Sequence, residues 1–241
     1  MLKQGVNEIV TRAARGRTAS MVSIIIPALN EEAVLGETLD HILSGRADFE
    51  ILVVDARSVD RTAEVARQKG ARVIEAPARQ RAAQMNFGAA QARGEALLFL
   101  HADTWLPPVA LEEIESALAR FPAVAGGAFA RRFRPRSLFL ELTCALAELR
   151  NRAIGWHLGD QGIFARAEIF RKMGGFKPVD RFEDLDFSRR LAGFGKVVTL
   201  RPPVLSSNRR FLRRGPFRTT CRDFYLTCRY LAGREDIWSA R

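Results

Sequence analysis

Acidic side chains follow three separate apolar runs in the first half of the sequence. LNEE comes after residues 22–27 (VSIIIP), Asp55 comes after FEILVV, and His101 and Asp103 come after ALLFL. Burying several carboxylates close together is unfavourable unless a cation or a hydrogen-bonding ligand shares the site. A divalent metal ion with a diphosphate would supply both, because Mg²⁺ and Mn²⁺ prefer oxygen ligands. The pattern therefore indicates a site for a phosphorylated ligand.

Each of these residues also has an ordinary structural role open to it. Asp55 either accepts hydrogen bonds from a nucleobase or ribose, or caps the helix that begins near residues 58–60. Asp103 either binds the metal or caps the helix that begins near residue 107. His101 is a second metal ligand, a donor to phosphate, or a structural histidine. The last two roles are favoured, because hard metal ions prefer oxygen.

The second half of the sequence carries further candidates. Glu183, Asp184 and Asp186 form EDLD, which is either an acidic helix N-terminus or the location of a general base. Neighbouring acids would raise the pKa of such a base. Two weaker signals are the acidic turn of Gly159, Asp160 and Gln161, and the pair Gly126 and Gly127. The glycine pair would allow the backbone to approach a sugar or diphosphate closely.

The elements that must position these residues alternate between strand and helix. Strands are predicted over residues 22–27, 49–54, 72–75 and 96–100, with helices over 30–43, 60–69 and 80–93 between them. This order predicts right-handed crossovers and a mostly parallel sheet, in which ligands bind beyond the carboxyl ends of the strands. Later helices are predicted over 107–121, 138–154 and 183–191, and strands over 126–133, 161–165 and 196–200.

Composition and net charge indicate the class of protein and the kinds of partner that it could bind. The chain has 241 residues, 47% of them hydrophobic and 27% charged, which is typical of a globular α/β protein. Its net charge of +11 suits nucleic acid, an anionic membrane or phosphorylated substrates, or else a solvated basic surface. Three cysteines without a CxxC pattern favour a reducing cytoplasm over disulfides or a zinc site. No apolar stretch approaches the ~18 residues of a membrane span.

The ordered set of motifs resembles the family-2 glycosyltransferases of the GT-A fold, from residue 22 to about residue 200. The matching segments are SIIIPALNEE, ILVVDARSVDRT, RAAQMNFGAAQARGEALLFLHADT, GDQGIFARAEIFRKMGGF and FEDLDFSRRLAGFG. RAAQMN, FLHADT, GDQGIF, EDLDFSRRL and SSNRRF also resemble a microbial subgroup associated with radical-SAM and selenium-related gene clusters. The resemblance implies a Rossmann-like, mostly parallel central sheet with helices on both faces.

The resemblance also implies an activity and a role for each matching residue. The activity is an inverting transfer from a nucleotide-sugar, typically a UDP-sugar, to a hydroxyl acceptor, assisted by Mn²⁺ or Mg²⁺. The implied nucleotide-binding residues are Pro27, Ala28, Glu31, Asp55, Arg81 and Asn86. Asp184, or else Glu183, would be the catalytic base, and Asp103 the metal ligand. Asp160 and Gln161 would lie beside the sugar and acceptor, with Gly127 nearby, and Arg209 and Arg210 would close over the diphosphate.

Two residues depart from the family pattern. His101 stands where the first Asp of the DXD motif is usual, which puts a two-carboxylate metal site in doubt. Arg57 stands where a glycine or another small residue is usual, which leaves details of the base pocket open.

The domain organisation and partners follow from the same resemblance. Residues 1–20 are expected to form a basic arm, residues 21–205 the transferase domain with halves at 21–105 and 106–205, and residues 206–241 a helical tail rich in arginine and aromatic residues. The tail either packs on the domain or contacts an anionic membrane, which would place the protein at the inner face of the cytoplasmic membrane near a lipid-linked acceptor. No nucleic-acid partner is expected.

Two other classes compete with a glycosyltransferase. A nucleotidyltransferase would open with a glycine-rich phosphate loop, and PALNEE contains no glycine. A basic protein that binds membranes or nucleic acid without transferase activity would use the arginine and aromatic residues of the tail.

Overall fold

The computed structural model describes residues 21–45, 48–179 and 181–233. The predicted basic arm, residues 1–20, lies outside the described residues. The described chain forms one eight-stranded sheet in the order β3-β2-β1-β4-β7-β6-β8-β5. The predicted mixed α/β fold class is confirmed.

The strands and helices follow one another as the hydrophobic pattern predicts over the first half of the chain. The strands are β1 Val22–Ala28, β2 Phe49–Asp55, β3 Arg72–Glu75, β4 Ala96–Phe99, β5 Thr104–Trp105, β6 Val124–Arg134, β7 Ile163–Arg166 and β8 Lys196–Ser207. The helices are α1 Glu32–Leu43, α2 Thr62–Gln68, α3 Arg81–Gln91, α4 Ala110–Arg120, α5 Leu138–Ile154, α6 Ala167–Lys172, α7 Glu183–Leu191, α8 Arg209–Arg214 and α9 Pro216–Leu231. A short 3-10 turn spans Gly159–Gln161.

Parallel pairing brings the ends of the first strands to one edge. β1 pairs in parallel with β2 on one side and with β4 on the other, and β3 pairs in parallel with β2. The register aligns Ala28 with Asp55, and Asp55 with Glu75. The polar segments that follow these strands therefore meet at the carboxyl edge, where ligands of such sheets bind.

The sheet is covered on both faces. Ile24 and Ile26 of β1 pack in one apolar layer with residues of α1, α2 and α4, whereas Ile25 packs in the other with residues of α3, α6 and α7. Alternation of side chains along a strand produces this division. Burial of the strands on both faces accounts for the continuous apolar runs in the sequence.

A cluster of phenylalanines fixes α7 against the strand that leads to His101. The ring centroids of Phe176 and Phe187 are 4.3 Å apart, and those of Phe99 and Phe176 are 4.8 Å apart in an edge-on arrangement. Aromatic pairs at this spacing contribute about 0.5–1.5 kcal/mol beyond burial. The cluster therefore holds the EDLD segment at a fixed distance from the end of β4.

The second half departs from the sequence prediction in several places. β8 extends to Ser207, through Pro202 and Pro203. Its pairing with β6 is irregular at the two prolines, because Phe129 pairs with Leu200 before them and Arg131 pairs with Val204 after them. Proline lacks an N–H donor, so the sequence pattern predicts an end to the strand at residue 200. Residue 161, predicted in a strand, lies in the 3-10 turn, and the two-residue strand β5 was missed. The tail predicted as helical divides into two helices, α8 and α9. No helix in the described part of the chain combines the length and the apolar character needed to cross a membrane.

Candidate functional site

A cleft of about 1390 Å³ lies beyond the carboxyl ends of β1 and β4, and α8 and α9 form its far wall. It brings together most of the residues that the sequence predicts for the site: Pro27, Glu31, Arg81, His101, Asp103, Asp160, Glu183, Asp184, Arg209 and Arg210. The remaining predicted residues, which are Ala28, Asp55, Asn86, Gly127 and Gln161, do not line this cleft.

Asp184 lies in the first turn of α7 and faces the cleft. Its Oδ2 accepts a hydrogen bond from the backbone N–H of Gly159 at 2.7 Å, and its Oδ1 accepts one from Leu185 at 2.7 Å. Burial, and then the neighbouring charge of Glu183, raise the pKa of Asp184 from 3.8 to about 6. A carboxylate with such a pKa is ionised at neutral pH and is a stronger base than an exposed aspartate, which suits general-base catalysis.

Glu183 has a different environment from its neighbour. Its side chain is buried and accepts a hydrogen bond from Nη1 of Arg81 at 3.2 Å. The ion pair joins the start of α7 to the start of α3 and holds the Arg81 guanidinium at the cleft. Phe182, just before it, has a φ of 61°, a left-handed conformation that non-glycine residues adopt at a cost. The Glu183 carboxylate is therefore engaged by Arg81.

His101 lies against the Gly159 turn. A Cβ added to Gly159 would lie 2.6 Å from Nε2 of His101 and 3.2 Å from Oδ2 of Asp184. Only glycine allows this close approach of the turn to both side chains. Burial, and then the positive charge of Arg81, lower the pKa of His101 to about 3, so the imidazole is neutral. Because metal ligation also requires a neutral imidazole, this pKa is compatible with each of the roles that the sequence leaves open.

Arg209 connects two predicted binding residues across the cleft. Its Nη2 lies 2.9 and 2.7 Å from the two carboxylate oxygens of Glu31, and its Nε lies 3.1 Å from Oδ2 of Asp103. Burial raises the pKa of Asp103, and the charge of Arg209 opposes that effect. The first residue of α8 is therefore held at the position where the sequence predicts the diphosphate.

Asp103 fits a divalent metal ion only together with a phosphorylated ligand. In the described parts of the chain, no group of three or more His, Cys, Asp or Glu side chains is arranged to hold a metal. Mg²⁺ and similar ions are often held by one or two carboxylates, with substrate phosphates and water completing the shell. Asp103 meets this requirement once Arg209 moves from its carboxylate.

The neighbouring side chains of Asp160 and Gln161 make different contacts. Asp160 forms an ion pair with the buried Arg131 of β6. Burial raises the pKa of Asp160 most strongly, but the charge and hydrogen bond of Arg131, together with the neighbouring His101 and Arg210, outweigh burial, and the pKa is lowered. Gln161 donates to the carbonyl of Phe129 at 2.9 Å and accepts from the N–H of Leu158 at 3.0 Å. Gln161 thus shapes the turn that presents Asp160.

Asp55 hydrogen-bonds its own loop and does not cap the following helix, which begins at Thr62 with Arg61 at its N-cap. Its two oxygens accept from the N–H and the hydroxyl of Ser58 at 3.0 and 2.5 Å. The backbone of Arg57 has a φ of 61°, a left-handed conformation that glycine adopts more readily than other residues. The side chain of Arg57 forms an ion pair with Glu75 at 2.8 Å. A smaller cavity of about 360 Å³ lies beside this loop, and Arg79 lines both it and the main cleft.

The other three predicted residues serve the framework. Asn86 binds the backbone N–H and carbonyl of Phe176 at 2.9 and 2.8 Å. A Cβ on Gly127 would lie 2.1 Å from the carbonyl oxygen of Val198, so this glycine accommodates β8 rather than a ligand. Ala28 is buried at the end of β1.

Comparisons with known proteins agree with this geometry. The model of the family described as glycosyl transferase family 2 matches residues 23–171, more than half of the chain. A curated relative, the 4,4'-diaponeurosporenoate glycosyltransferase of Staphylococcus haemolyticus, is 45% identical over 58 residues, which are 24% of this chain and 16% of the relative.

Similar solved structures share the fold at low sequence identity. TarS 1-349 of S. aureus in complex with UDP-GlcNAc has a TM-score of 0.62 and 19% identity over 78% of this chain and 59% of that chain. The mannosyltransferase PcManGT of Pyrobaculum calidifontis, in complex with GDP-Man and Mn²⁺, has a TM-score of 0.62 and 21% identity over 83% of this chain and 63% of that chain. Glucosyl-3-phosphoglycerate synthase of Mycobacterium tuberculosis, in complex with Mn²⁺, UDP and phosphoglyceric acid, has a TM-score of 0.57 and 24% identity over 78% of this chain and 69% of that chain.

The chain spans a small part of the curated relative and about 60% of TarS 1-349. The family match nevertheless covers β1 through most of α6, including the strand ends that form the cleft. The chain therefore belongs to glycosyl transferase family 2.

Proposed function

We propose that the cleft binds a nucleotide-sugar, first of all a UDP-sugar, and transfers the sugar to a hydroxyl acceptor with inversion. The observation that carries this proposal is Asp184, whose pKa is raised to about 6 in the cleft that also contains Asp103. Uridine nucleotides occur in the TarS and glucosyl-3-phosphoglycerate synthase structures, whereas the mannosyltransferase contains GDP-Man. These complexes support a nucleotide-sugar donor, and the choice of uridine is part of the proposal.

In the proposed reaction, Asp184 accepts the proton of the acceptor hydroxyl. The acceptor oxygen forms a bond to the anomeric carbon as the bond from that carbon to the diphosphate oxygen breaks, which releases UDP. The N–H groups of Gly159 and Leu185 orient the carboxylate, and each oxygen keeps further acceptor capacity for the incoming hydroxyl. Attack from the side opposite the diphosphate accounts for inversion.

Positive side chains face the proposed position of the diphosphate. Arg81, Arg209 and Arg210 line the cleft, and guanidinium groups can donate two hydrogen bonds at once to phosphate oxygens. A divalent metal ion, Mn²⁺ or Mg²⁺, supplies further neutralisation of the leaving group when it is bound at Asp103. Donor binding would then break the contact of Arg209 with Asp103 and leave the arginine free to pair with phosphate.

The nucleoside is proposed to lie beside the loops that follow β1 and β2. Pro27 and Glu31 line the cleft, and the smaller cavity beside Asp55 offers space for a base. The domain division predicted from the sequence and the assignment to the radical-SAM and selenium-associated subgroup also stay as proposals, supported by the sequence motifs alone.

A panel of nucleotide-sugars, assayed for the released nucleotide in the presence of Mn²⁺, tests the proposal. Release of UDP from a UDP-sugar is expected, and it should be about 10²–10⁴-fold slower in Asp184→Asn. Release of pyrophosphate would instead indicate a nucleotidyltransferase. If none of the nucleotide-sugars is cleaved or bound, the proposed function is wrong.

A peripheral contact with an anionic membrane is proposed as an accessory property. α9 packs on the domain through the ring contacts of Phe217 with Phe139 and of Tyr230 with Phe182, yet it leaves aromatic side chains exposed. α5 also exposes leucines along one face. The large exposed side chains are Leu138 (88%), Leu142, Leu146 and Leu149 of α5, and Phe217, Phe224 (70%) and Tyr225 of α9.

Exposed apolar surface on helices of a basic protein suits the interface of an anionic bilayer. The net charge of +11 favours anionic over neutral lipid. Such a contact would place the protein at the cytoplasmic face of the membrane, near a lipid-linked acceptor.

Sedimentation with vesicles of phosphatidylcholine containing phosphatidylglycerol tests the contact. The wild-type chain should sediment with these vesicles, and Leu142→Ser/Leu146→Ser should do so less. Val59→Ser, at an exposed apolar residue outside α5 and α9, is the control. No sedimentation of the wild type, or equal sedimentation of all three proteins, would contradict the proposal.

A further inference from the structure

One face of α9 is turned toward the cleft. Its residues in the cleft lining recur at helical spacing and are Arg218, Thr219, Arg222, Asp223, Leu226 and Thr227. Arg213 and Arg214 at the end of α8 extend the same wall. We call Arg213, Arg214, Arg218 and Arg222 the arginine wall.

The arginine wall carries positive charge that no ion pair neutralises within the described part of the chain. The arginines nearer the predicted donor residues are paired: Arg81 with Glu183, Arg209 with Glu31 and Asp103, and Arg210 with Asp223. The four residues of the arginine wall form no ion pair with any residue in the described ranges 21–45, 48–179 and 181–233. Like charges brought together in a concave site favour the binding of an anion.

The cleft is larger than one ligand needs. Its volume is about 1390 Å³, whereas pockets for single drug-sized ligands are about 300–1,000 Å³. A nucleotide-sugar at the strand ends would therefore leave space beside α9, and the arginine wall borders that space.

The arginine wall lines the same cleft as the donor residues and the proposed base. Near the middle of α9, the ion pair of Arg210 with Asp223 joins it to α8, whose first residue contacts Asp103. Near the last turn of α9, the ring of Tyr230 lies 5.1 Å from that of Phe182, two residues before Asp184. Because the arginine wall and Asp184 line one cleft, a molecule held on the wall can direct a hydroxyl group toward Asp184.

From the unpaired charge, the spare volume and this position, we propose that the acceptor carries a phosphate group and that Arg218 and Arg222 bind it. The inference rests on the proposed function, because it assigns the second substrate of the same cleft. The phosphate belongs to a soluble phosphate ester or to a lipid headgroup, and both sources offer the same chemistry to the two guanidinium groups.

Calorimetric titration of inorganic phosphate into the UDP-saturated protein tests the site, because UDP occupies the donor end. Phosphate should bind the wild type, and Arg218→Gln/Arg222→Gln should weaken that binding about tenfold, or about 1.4 kcal/mol. UDP affinity should stay the same. Arg67→Gln/Arg171→Gln, which makes the same charge change at exposed residues outside the cleft lining, is the matched control and should leave phosphate binding unchanged.

The outcomes separate this inference from the proposed function. Phosphate that competes with UDP, or that binds both double variants equally, overturns the arginine wall as the acceptor site while leaving donor binding intact. If UDP does not bind, the proposed function fails, and the same titration without UDP still tests whether the two arginines bind phosphate.

A second arm identifies the source of the phosphate. Glycerol 3-phosphate and vesicles of phosphatidylcholine containing phosphatidic acid are each tested as competitors of inorganic phosphate. Displacement by glycerol 3-phosphate assigns a soluble ester, and displacement by the vesicles assigns a headgroup. If neither competes, the site binds inorganic phosphate only and the acceptor assignment is wrong.

Discussion

Replacing Asp184 by Asn removes the proposed base while nearly preserving its shape. The Asp184 carboxylate accepts from the N–H groups of Gly159 and Leu185, each at 2.7 Å. An Asn side chain has one acceptor oxygen and a donor NH₂ group, so one of the two N–H groups loses its partner. A buried donor left without a partner costs about 1–3 kcal/mol, and the variant should be less stable than the wild type at low pH.

The difference in free energy of unfolding between the wild type and Asp184→Asn should shrink as the pH rises. The pKa of Asp184 is raised from 3.8 to about 6, a difference of about two units, and each unit corresponds to about 1.36 kcal/mol. Because the folded-state pKa lies above the unfolded value, the stability from this group is fully present below about pH 4 and is lost as the pH rises through about 6. Over this pH range the free energy of unfolding of the wild type thus falls by about 3 kcal/mol, whereas that of Asp184→Asn does not.

Denaturation by urea between pH 4 and pH 8 measures this change, and transfer assays measure the chemistry. Turnover of Asp184→Asn should fall by about 10²–10⁴-fold with unchanged UDP affinity, and wild-type turnover should rise with pH through about 6. Asp40→Asn, at an exposed residue paired with Lys69, is the control. Full turnover of Asp184→Asn, or a stability difference independent of pH, would refute the reasoning.

Two further substitutions test the rest of the site. In Asp103→Asn, calorimetry should show that Mn²⁺ no longer strengthens UDP binding, and a metal response equal to that of the wild type would exclude Asp103 as a ligand. In Gly159→Ala, the new Cβ would lie 2.6 Å from Nε2 of His101. Turnover should fall about 10²-fold, the loss expected from a ~1 Å displacement of catalytic groups. Gly36→Ala, whose Cβ would lie 3.5 Å from its nearest atom, is the control and should leave turnover unchanged. Equal turnover in both alanine variants would contradict the close packing of the Gly159 turn against His101.

The first half of the fold could be predicted because its strands are buried on both faces. Continuous apolar runs such as residues 22–27 are typical of strands in a parallel sheet covered by helices, and their alternation with helices indicates that sheet. The strand ends then predicted the positions of Asp55 and Asp103. β8 was truncated in the prediction because Pro202 and Pro203 interrupt the pattern, although pairing with β6 continues beyond them.

The site was less predictable wherever it depends on pairing between distant segments. Arg209 contacts Glu31, 178 positions away, and no local pattern indicates such a contact. Arg131 was also missed, although a charged residue inside an apolar strand was a signal that it needed a partner such as Asp160. Gly127 was interpreted as a ligand-facing glycine, but only the structure shows the neighbouring strand against it.

Binding of a nucleotide-sugar is the claim on which the proposed function and the acceptor inference depend. The direct test is the thermal stability of the full chain with UDP-GlcNAc and other nucleotide-sugars in the presence of Mn²⁺. A donor at 100 times its dissociation constant should add about 2.7 kcal/mol to the free energy of unfolding, and Asp103→Asn should lose the part of this gain that depends on Mn²⁺. No stabilisation by any nucleotide-sugar, with or without the metal, would contradict the claim.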